Sequence, residues 1–246
     1  MATDSRRDSC QLRPVKIEVG FMPQAEGSAL ITMGSTIVAC TASVEERVPP
    51  FLKGTGSGWV TAEYGMLPRS TKVRRPRPET TGKPDGRAQE IQRLVGRSLR
   101  AVTRLTELGE RTLIVDCDVI QADGGTRTAA VTGGFVALAC ALDKLARPAG
   151  AGAIPLTDFV AAVSVGLHGS GLTLDMNFVA DATAGVDLNL VMTGSGTIVE
   201  VQATAEGRPF TQAQLSAMLA LGASGIRQLI AFQREALGPL TEAVGR

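Results

Sequence analysis

The stretch RTLIVDCDVIQADGGTRTAAVTGGFVALACALDKLA, residues 111–146, joins three kinds of sequence in succession. A run rich in β-branched residues leads to a Gly-Gly pair, and a long apolar run with many small residues follows it. β-Branched residues favour strands, paired glycines favour turns, and alanine and leucine favour helices. We therefore predict a strand, a tight turn at Gly124 and Gly125, and a helix through 128–146.

The start of this helix is a candidate anion site. The first backbone N–H groups of a helix lack partners, and the helix dipole places roughly half a positive charge there. Glycines let a ligand approach the backbone, while the Thr126 hydroxyl and the Arg127 guanidinium can add hydrogen bonds. A plain strand-to-helix connection would show the same pattern. The sequence contains no GxxxxGK[ST] motif and no GxGxxG turn before a helix, which argues against an ATPase or a dehydrogenase.

The residues around this stretch predict three hairpins. Period-2 alternation with glycines at the turns occurs at 28–44, 159–178 and 188–203. The first turn is placed at Met33-Gly34-Ser35. The single histidine, His168, is predicted to be a turn residue of the second hairpin.

Two further helices are predicted. An apolar stripe in AQEIQRLVGRSLRAVTRL indicates a helix over 88–105. Thr211 and Gln214 form a capping-box pattern that begins a C-terminal helix, which runs to about Leu237 with a break near Gly222. Hairpins followed by a helix, twice over, indicate an α+β domain of two similar halves.

Length and composition limit the class of protein. The chain has 246 residues and no stretch of linker composition, so we expect one domain over 1–246. Four cysteines without a CxxC pair, and no evident signal peptide, favour a reduced cytoplasmic protein without disulfides or a zinc knuckle. Apolar runs are interrupted well short of the ~20 residues of a membrane span, so no span is expected. One histidine leaves any catalysis to carboxylates, arginines, hydroxyls and a hard metal ion.

Cations are concentrated in two places. One face of the predicted helix 88–105 carries Arg93, Arg97, Arg100 and Arg104, and it faces either solvent or a partner. The segment 67–87 has few apolar residues and many cations: Arg69, Lys72, Arg74, Arg75, Arg77, Lys83 and Arg87. This composition predicts a loop that binds a polyanion, because each neutralised phosphate releases counterions. An ordinary solvated loop is the alternative.

Three aspartates recur every six residues in LDMNFVADATAGVDLN. Asp175 lies near the end of a predicted strand, Asp181 in the loop after it, and Asp187 where the next strand starts. A loop that brings Asp181 and Asp187 together would offer only oxygen ligands, which Mg²⁺ prefers. Solvated turn residues are the alternative.

Several long motifs resemble the ribonuclease PH family. In chain order they are QLRPV, GSGWVTAEYGMLPRST, GRAQEIQRLVGRSLRA, DCDVIQADGGTRTAAVTGG, VAAVSVG, and VDLNLVMT followed by VEVQATAEG. They extend over nearly the whole chain. The family consists of phosphorolytic 3′ exoribonucleases that trim tRNA precursors. The resemblance implies sheet and helix layers in a single domain, similar to domain 2 of ribosomal protein S5, and a hexameric ring built from dimers.

The resemblance also implies roles for individual residues. Arg87, Gly125, Thr126 and Arg127 are similar to the family's phosphate site. Asp181 and Asp187 match its magnesium and acid–base pair, and Arg69, Arg74 and Arg77 match its tRNA-contacting loop. The sequence departs from the family at Ala180 and Ala182, where an acidic residue and a serine are usual.

Together these features predict a reaction. Inorganic phosphate bound by Arg87, Thr126 and Arg127 attacks the last phosphodiester of an RNA and releases a nucleoside diphosphate. Asp181 and Asp187 hold Mg²⁺, and one of them protonates the departing 3′ oxygen. Two alternatives remain at this point: a non-catalytic, RNA-binding ring subunit of an exosome-like assembly, and a phosphate-binding metabolic enzyme that does not use RNA.

Overall fold

The first of two β-sheets is mixed and has five strands. The computed structural model of the chain describes residues 7–77, 85–146, 153–169 and 171–246, so Lys83 of the predicted loop lies outside the described residues. The strands are β1 (Val15–Val19), β2 (Gly27–Met33), β3 (Thr36–Glu45), β4 (Trp59–Met66) and β5 (Thr112–Gln121). Their order in the sheet is β1-β2-β3-β5-β4, and only the β4–β5 pair is parallel.

The second sheet is antiparallel and has four strands. It contains β6 (Val160–His168), β7 (Gly171–Leu174), β8 (Val186–Thr193) and β9 (Ile198–Ala205), in the order β7-β6-β8-β9. The three predicted hairpins are therefore confirmed as β2–β3, β6–β7 and β8–β9. The prediction for His168 is wrong, because this residue is the last of strand β6 and pairs with Gly171.

The described residues form four α-helices that pack on the sheets: α1 (Gly86–Arg100), α2 (Thr126–Ala146), α3 (Phe178–Thr183) and α4 (Gln212–Leu237). Helix α2 packs against β2, β3 and β5 of the first sheet and against β6 of the second. The buried apolar residues of both sheets form one continuous cluster around it. The predicted α+β class is confirmed. We propose that the chain is a single domain, because both halves share this core.

Helix α1 is shorter than the predicted 88–105. It ends at Arg100 because the following segment pairs with another part of the chain: the Arg104 N–H donates to the Pro155 carbonyl, and the Thr157 N–H donates to the Val102 carbonyl. Val102 is still buried, although it lies outside the helix. The apolar spacing of 88–105 therefore predicted which residues are buried, but it extended the helix beyond its actual end at Arg100.

Helix α4 begins as predicted, but it has no break. Thr211 and Gln214 form both bonds of the capping box, and the helix continues to Leu237 through Gly222. A Cβ atom at Gly222 would lie 2.8 Å from Leu190 Cδ2 on β8. The glycine therefore allows close packing of helix on sheet, and this contact stabilises the helix where its propensity is weakest.

Two helical stretches, Thr126–Ala146 and Gln212–Ala243, are long and apolar enough to cross a membrane. The expectation that apolar runs end well short of that length is therefore wrong. The most apolar window of the first stretch is 72% buried in the protein, and that of the second is 33% buried. Helix α2 is apolar on all sides because both sheets cover it, which is a usual origin of such composition in a core helix.

Candidate active site

The Gly124-Gly125 turn brings the β5–α2 connection against the start of α3. Both glycines have positive φ, +76° and +64°, a conformation that other residues adopt at a cost. A Cβ atom at Gly124 would lie 2.4 Å from the Met176 carbonyl oxygen, so this approach requires glycine. The Phe178 N–H donates to Asp123 Oδ1 at 3.3 Å. The turn therefore places the N-terminus of α2 beside the helix that carries Asp181.

A buried ion pair holds this turn, and the sequence analysis did not find it. Arg13 Nη2 and Nε lie 2.7 Å and 2.9 Å from the two carboxylate oxygens of Asp175, which is 0% exposed. Arg13 also donates to the carbonyls of Asp123, at 2.6 Å, and of Gly124, at 3.3 Å. Arg13 and Asp175 therefore form a structural clamp on the turn. Asp175 does not belong to the predicted Asp181–Asp187 pair. The only sequence signal was the position of Arg13 within QLRPV.

The side chains at the start of α2 are held from three sides. Tyr64 on β4 donates its hydroxyl to Thr126 Oγ1 at 2.8 Å. Arg127 Nη1 donates to Glu90 Oε1 on α1 at 3.2 Å and to Gln202 Oε1 on β9 at 2.5 Å. The Arg127 side chain is only 15% exposed. Hydrogen bonds to Glu90 on α1 and to Gln202 on β9 therefore fix the orientation of the Arg127 side chain before any ligand binds.

Arg87 reaches this region from the first turn of α1. Asp85 caps the helix by accepting hydrogen bonds from the backbone N–H groups of Arg87, at 3.0 Å, and Ala88, at 3.4 Å. The Arg87 guanidinium is exposed and has no ion-pair partner within the described part of the chain. Burial raises the pKa of both Tyr64 and Asp187, and the charge of Arg87 opposes this rise in each. The charges of Arg87 and Arg127 therefore act on the same two groups, Tyr64 and Asp187.

Asp187 and Asp181 lie close enough to repel one another. Burial raises the pKa of Asp187, and the charge of Asp181 raises it further, whereas Arg127, a hydrogen bond from Asn189 and Arg87 lower it. The Asp187 Oδ1 atom is buried and accepts no hydrogen bond within the residues that the structure describes. Asp181 lies in the short helix α3 and not in the loop that was predicted. A free carboxylate oxygen near two arginines and a second carboxylate is suited to a cation or a proton.

The arginine loop, residues 67–77 of the predicted segment 67–87, contains no helix or strand, whereas Gly86 and Arg87 at the end of that segment lie in helix α1. Arg69, Arg74 and Arg77 are exposed and form no ion pair with any residue of the described ranges. Arg75 differs from them, because it pairs with the capping residue Asp85 at 2.9 Å. These three arginines, like the exposed Lys72, are therefore available to a polyanion, whereas Arg75 connects the loop to the start of α1.

The basic face predicted on helix 88–105 is largely neutralised or covered. Arg97 forms a bidentate pair with Glu200 on β9, at 2.8 Å for the closest contact. The Arg100 guanidinium lies 4.3 Å from the centre of the Trp59 ring and donates to the Val60 carbonyl. Arg104 lies beyond the helix. This face therefore connects parts of the chain and is not a free cationic surface.

Sequence comparison assigns the chain to a family. It matches the sequence models of the 3′ exoribonuclease family, domain 1, over residues 11–142 and, domain 2, over residues 158–225. The chain belongs to the 3′ exoribonuclease family. A family relative from Moorella thermoacetica, named ribonuclease PH, is 62% identical over 235 residues, which cover 96% of this chain and 94% of the relative.

Two solved structures share the fold of this chain. Rice (Oryza sativa) Rrp46 aligns with a TM-score of 0.76 and 19% identity, over 95% of this chain and 99% of its own. The Archaeoglobus fulgidus exosome with RNA bound to the active site aligns with a TM-score of 0.77 and 20% identity, over 93% and 91%. At these identities the likeness concerns the fold alone.

Proposed function

We propose that this protein is a phosphate-dependent tRNA nucleotidyltransferase, a 3′-to-5′ exoribonuclease that trims the 3′ end of tRNA precursors. The proposal rests on one observation. The same region, at the N-terminus of helix α2, contains Arg87, Thr126, Arg127 and the Asp181–Asp187 pair. Its relative at 62% identity is a ribonuclease PH. A non-catalytic ring subunit would not need this complete set.

Phosphate binding follows from charge and from the N–H groups at the start of α2. Arg127, Arg87 and the Thr126 hydroxyl surround the helix N-terminus, whose dipole favours an anion. Phosphate held there attacks the last phosphodiester of the RNA in line, and a nucleoside diphosphate leaves. Positioning and charge neutralisation supply most of the catalysis in phosphoryl transfer, so no histidine or nucleophilic side chain is required.

The acidic pair supplies the remaining chemistry. Asp187 Oδ1 is buried and accepts no hydrogen bond from any described residue, and Asp181 is exposed, so the two carboxylates fit a hard cation such as Mg²⁺. Bound there, Mg²⁺ would neutralise charge that builds on the reacting phosphoryl group. Burial raises the pKa of Asp187, which favours a proton on this carboxyl for transfer to the departing 3′ oxygen.

Arg69, Arg74 and Arg77 are proposed to bind the body of the tRNA. They are exposed and unpaired within the described residues, and they precede Arg87 by a short segment. We further propose a homohexameric ring, a trimer of dimers, that works in the cytoplasm. The exposed apolar side chains of the edge strand β9, Ile198 and Val201, support burial against another subunit.

Product analysis tests the reaction. Degradation of a 3′-labelled tRNA precursor should require inorganic phosphate, yield nucleoside 5′-diphosphates, and reverse when diphosphates are added in excess. Thin-layer or mass analysis of the products, with and without phosphate, measures this. Nucleoside monophosphates released at full rate in phosphate-free buffer would mean hydrolysis and would overturn the proposal.

Loss of either site arginine should weaken transition-state stabilisation. Arg87→Ala and Arg127→Ala should each cost roughly 2 to 3 kcal/mol, because each removes charge-assisted bonds to phosphate. The measurement is kcat/KM for phosphate in phosphorolysis. Arg93→Ala is the matched control, since Arg93 is an exposed arginine of the same helix as Arg87. Near-normal phosphorolysis by both site variants would place the anion elsewhere.

The arginine loop should control RNA affinity and not phosphate affinity. Replacing Arg69, Arg74 and Arg77 by Ala should lower the dependence of log K on log salt concentration by about 2 to 3, at roughly 0.7 to 0.9 for each lost phosphate contact. Binding titrations of tRNA at several salt concentrations measure this slope. A control variant removes three other exposed cations, Lys16, Lys53 and Arg227. An equal change of slope in both variants would argue against a specific loop site.

A further inference from the structure

Tyr64, the single tyrosine of the chain, lies directly behind the proposed phosphate site. It is on β4, where the parallel pairing with β5 sets it opposite Cys117 and turns it towards the core. Only 5% of its surface is exposed, yet its hydroxyl reaches Thr126 Oγ1 at 2.8 Å, at the first residue of α2. No role in phosphate binding has so far been given to it.

The electrostatic surroundings of the Tyr64 hydroxyl are those of the phosphate site. Burial raises its pKa, while the hydrogen bond to Thr126 and the charges of Arg87 and Arg127 lower it, and the net effect is a raised pKa. The hydroxyl is therefore neutral and keeps its proton at physiological pH. The charges of both site arginines act on this hydroxyl, and its hydrogen bond to Thr126 Oγ1 places it at the N-terminus of α2.

The hydrogen bonds that each hydroxyl can form show which proton of the Tyr64–Thr126 contact is still available. A hydroxyl has one proton to donate and two lone pairs to accept with. Two other threonines of α2, Thr128 and Thr132, donate their protons to the carbonyls of Gly125 and Thr128, each at 2.9 Å. Thr126 instead accepts from Tyr64, and within the described residues its own proton has no acceptor. That proton is available to an oxygen atom at the helix N-terminus.

We propose that Tyr64 is a positioning residue for inorganic phosphate. By donating to Thr126 Oγ1, it occupies one lone pair and fixes the rotation of the Thr126 hydroxyl, so that the Thr126 proton points to a phosphate oxygen. Tyr64 itself does not touch phosphate. The inference rests on the proposed function, because it takes phosphate to bind at Thr126 and Arg127.

A double-mutant cycle on Tyr64→Phe and Thr126→Ala tests the chain of contacts. Tyr64→Phe removes only the hydroxyl, so the phosphate KM should rise about 3- to 10-fold with kcat almost unchanged, as expected for one ordering hydrogen bond. Thr126→Ala should raise the phosphate KM at least as much. The double variant should match Thr126→Ala, because Tyr64 acts only through that hydroxyl. The control Ser98→Ala also removes a buried hydroxyl bond, to the Leu94 carbonyl, and should leave the phosphate KM unchanged.

The outcomes separate this inference from the proposed function. If Thr126→Ala leaves the phosphate KM unchanged, the phosphate site itself is wrong. If Thr126→Ala raises it and Tyr64→Phe does not, or if the two effects multiply in the double variant, only the role of Tyr64 is overturned.

The single tyrosine also allows a direct measurement without substitution at that position. Biosynthetic incorporation of 3-fluorotyrosine gives one ¹⁹F resonance, from residue 64. Titration with inorganic phosphate should shift this resonance in the intact protein, and the shift at saturating phosphate should be smaller in Thr126→Ala. If phosphate does not shift the resonance of the intact protein, the inference is overturned. This measurement decides even if Tyr64→Phe fails to fold.

Discussion

Asp187→Asn should reduce phosphorolysis by on the order of 100-fold or more while leaving the fold intact. Asn is nearly isosteric with Asp, but it carries no charge and cannot donate the carboxyl proton. Forward and reverse reactions share one transition state, so phosphorolysis and diphosphate-driven extension should fall by the same factor. Single-turnover rates in both directions, measured against Mg²⁺ concentration, test this.

Asp181→Asn serves as the comparison for Asp187→Asn. Asp181→Asn should show a similar loss, because its charge acts on Asp187. Binding of tRNA through the arginine loop should survive in both. If both variants match the wild-type rate at every Mg²⁺ concentration, the acidic pair has no role in catalysis.

Asp187→Asn should also increase the stability of the folded protein at neutral pH in the absence of Mg²⁺. The pKa of Asp187 is raised in the folded state, mainly by burial, so ionisation of this group opposes folding. The penalty is absent below the unfolded pKa of about 3.9 and fully present above the folded pKa. Asp187→Asn should therefore unfold at a higher temperature than wild type at pH 7, and the difference should shrink as the pH falls towards about 4. Thermal unfolding at several pH values measures this, and a constant difference would contradict it.

The largest loss of stability is expected from Asp175→Asn. The substitution leaves the buried Arg13 guanidinium without its counter-ion, and breaking a buried pair costs roughly 3 to 5 kcal/mol of unfolding free energy. Asn also tolerates the positive φ of +50° at this position, so backbone strain does not confuse the result. Denaturant unfolding measures the change.

Asp181→Asn is the matched control for stability, because Asp181 is exposed and forms no ion pair with a described residue. Its unfolding free energy should stay within about 0.5 kcal/mol of wild type. We also expect Asp175→Asn to loosen the Gly124 turn, since Arg13 holds the carbonyls of Asp123 and Gly124. A loss below about 1 kcal/mol would mean that the clamp contributes little to folding.

The family resemblance and the local patterns were sufficient for most of the fold. The turn at Gly34, the capping box at Thr211 and the strand-turn-helix around Gly124 each depend on a few adjacent residues. Such features follow from backbone preferences and side-chain periodicity, which are properties of the local sequence. The elements that were placed wrongly, the end of α1 and the supposed break at Gly222, are positions where distant contacts oppose local preference.

The sequence by itself determined which residue types lie at the candidate site: arginines and a threonine at a glycine turn, and two aspartates six residues apart. Only the tertiary structure decided how they are held. Arg13 meets Asp175 across 162 residues, Arg127 meets Gln202 across 75, and Tyr64 meets Thr126 across 62. Periodicity carries no information on such pairs, because they depend on how two sheets close around helix α2. For the same physical reason, the three evenly spaced aspartates divide into a structural residue and an acidic pair.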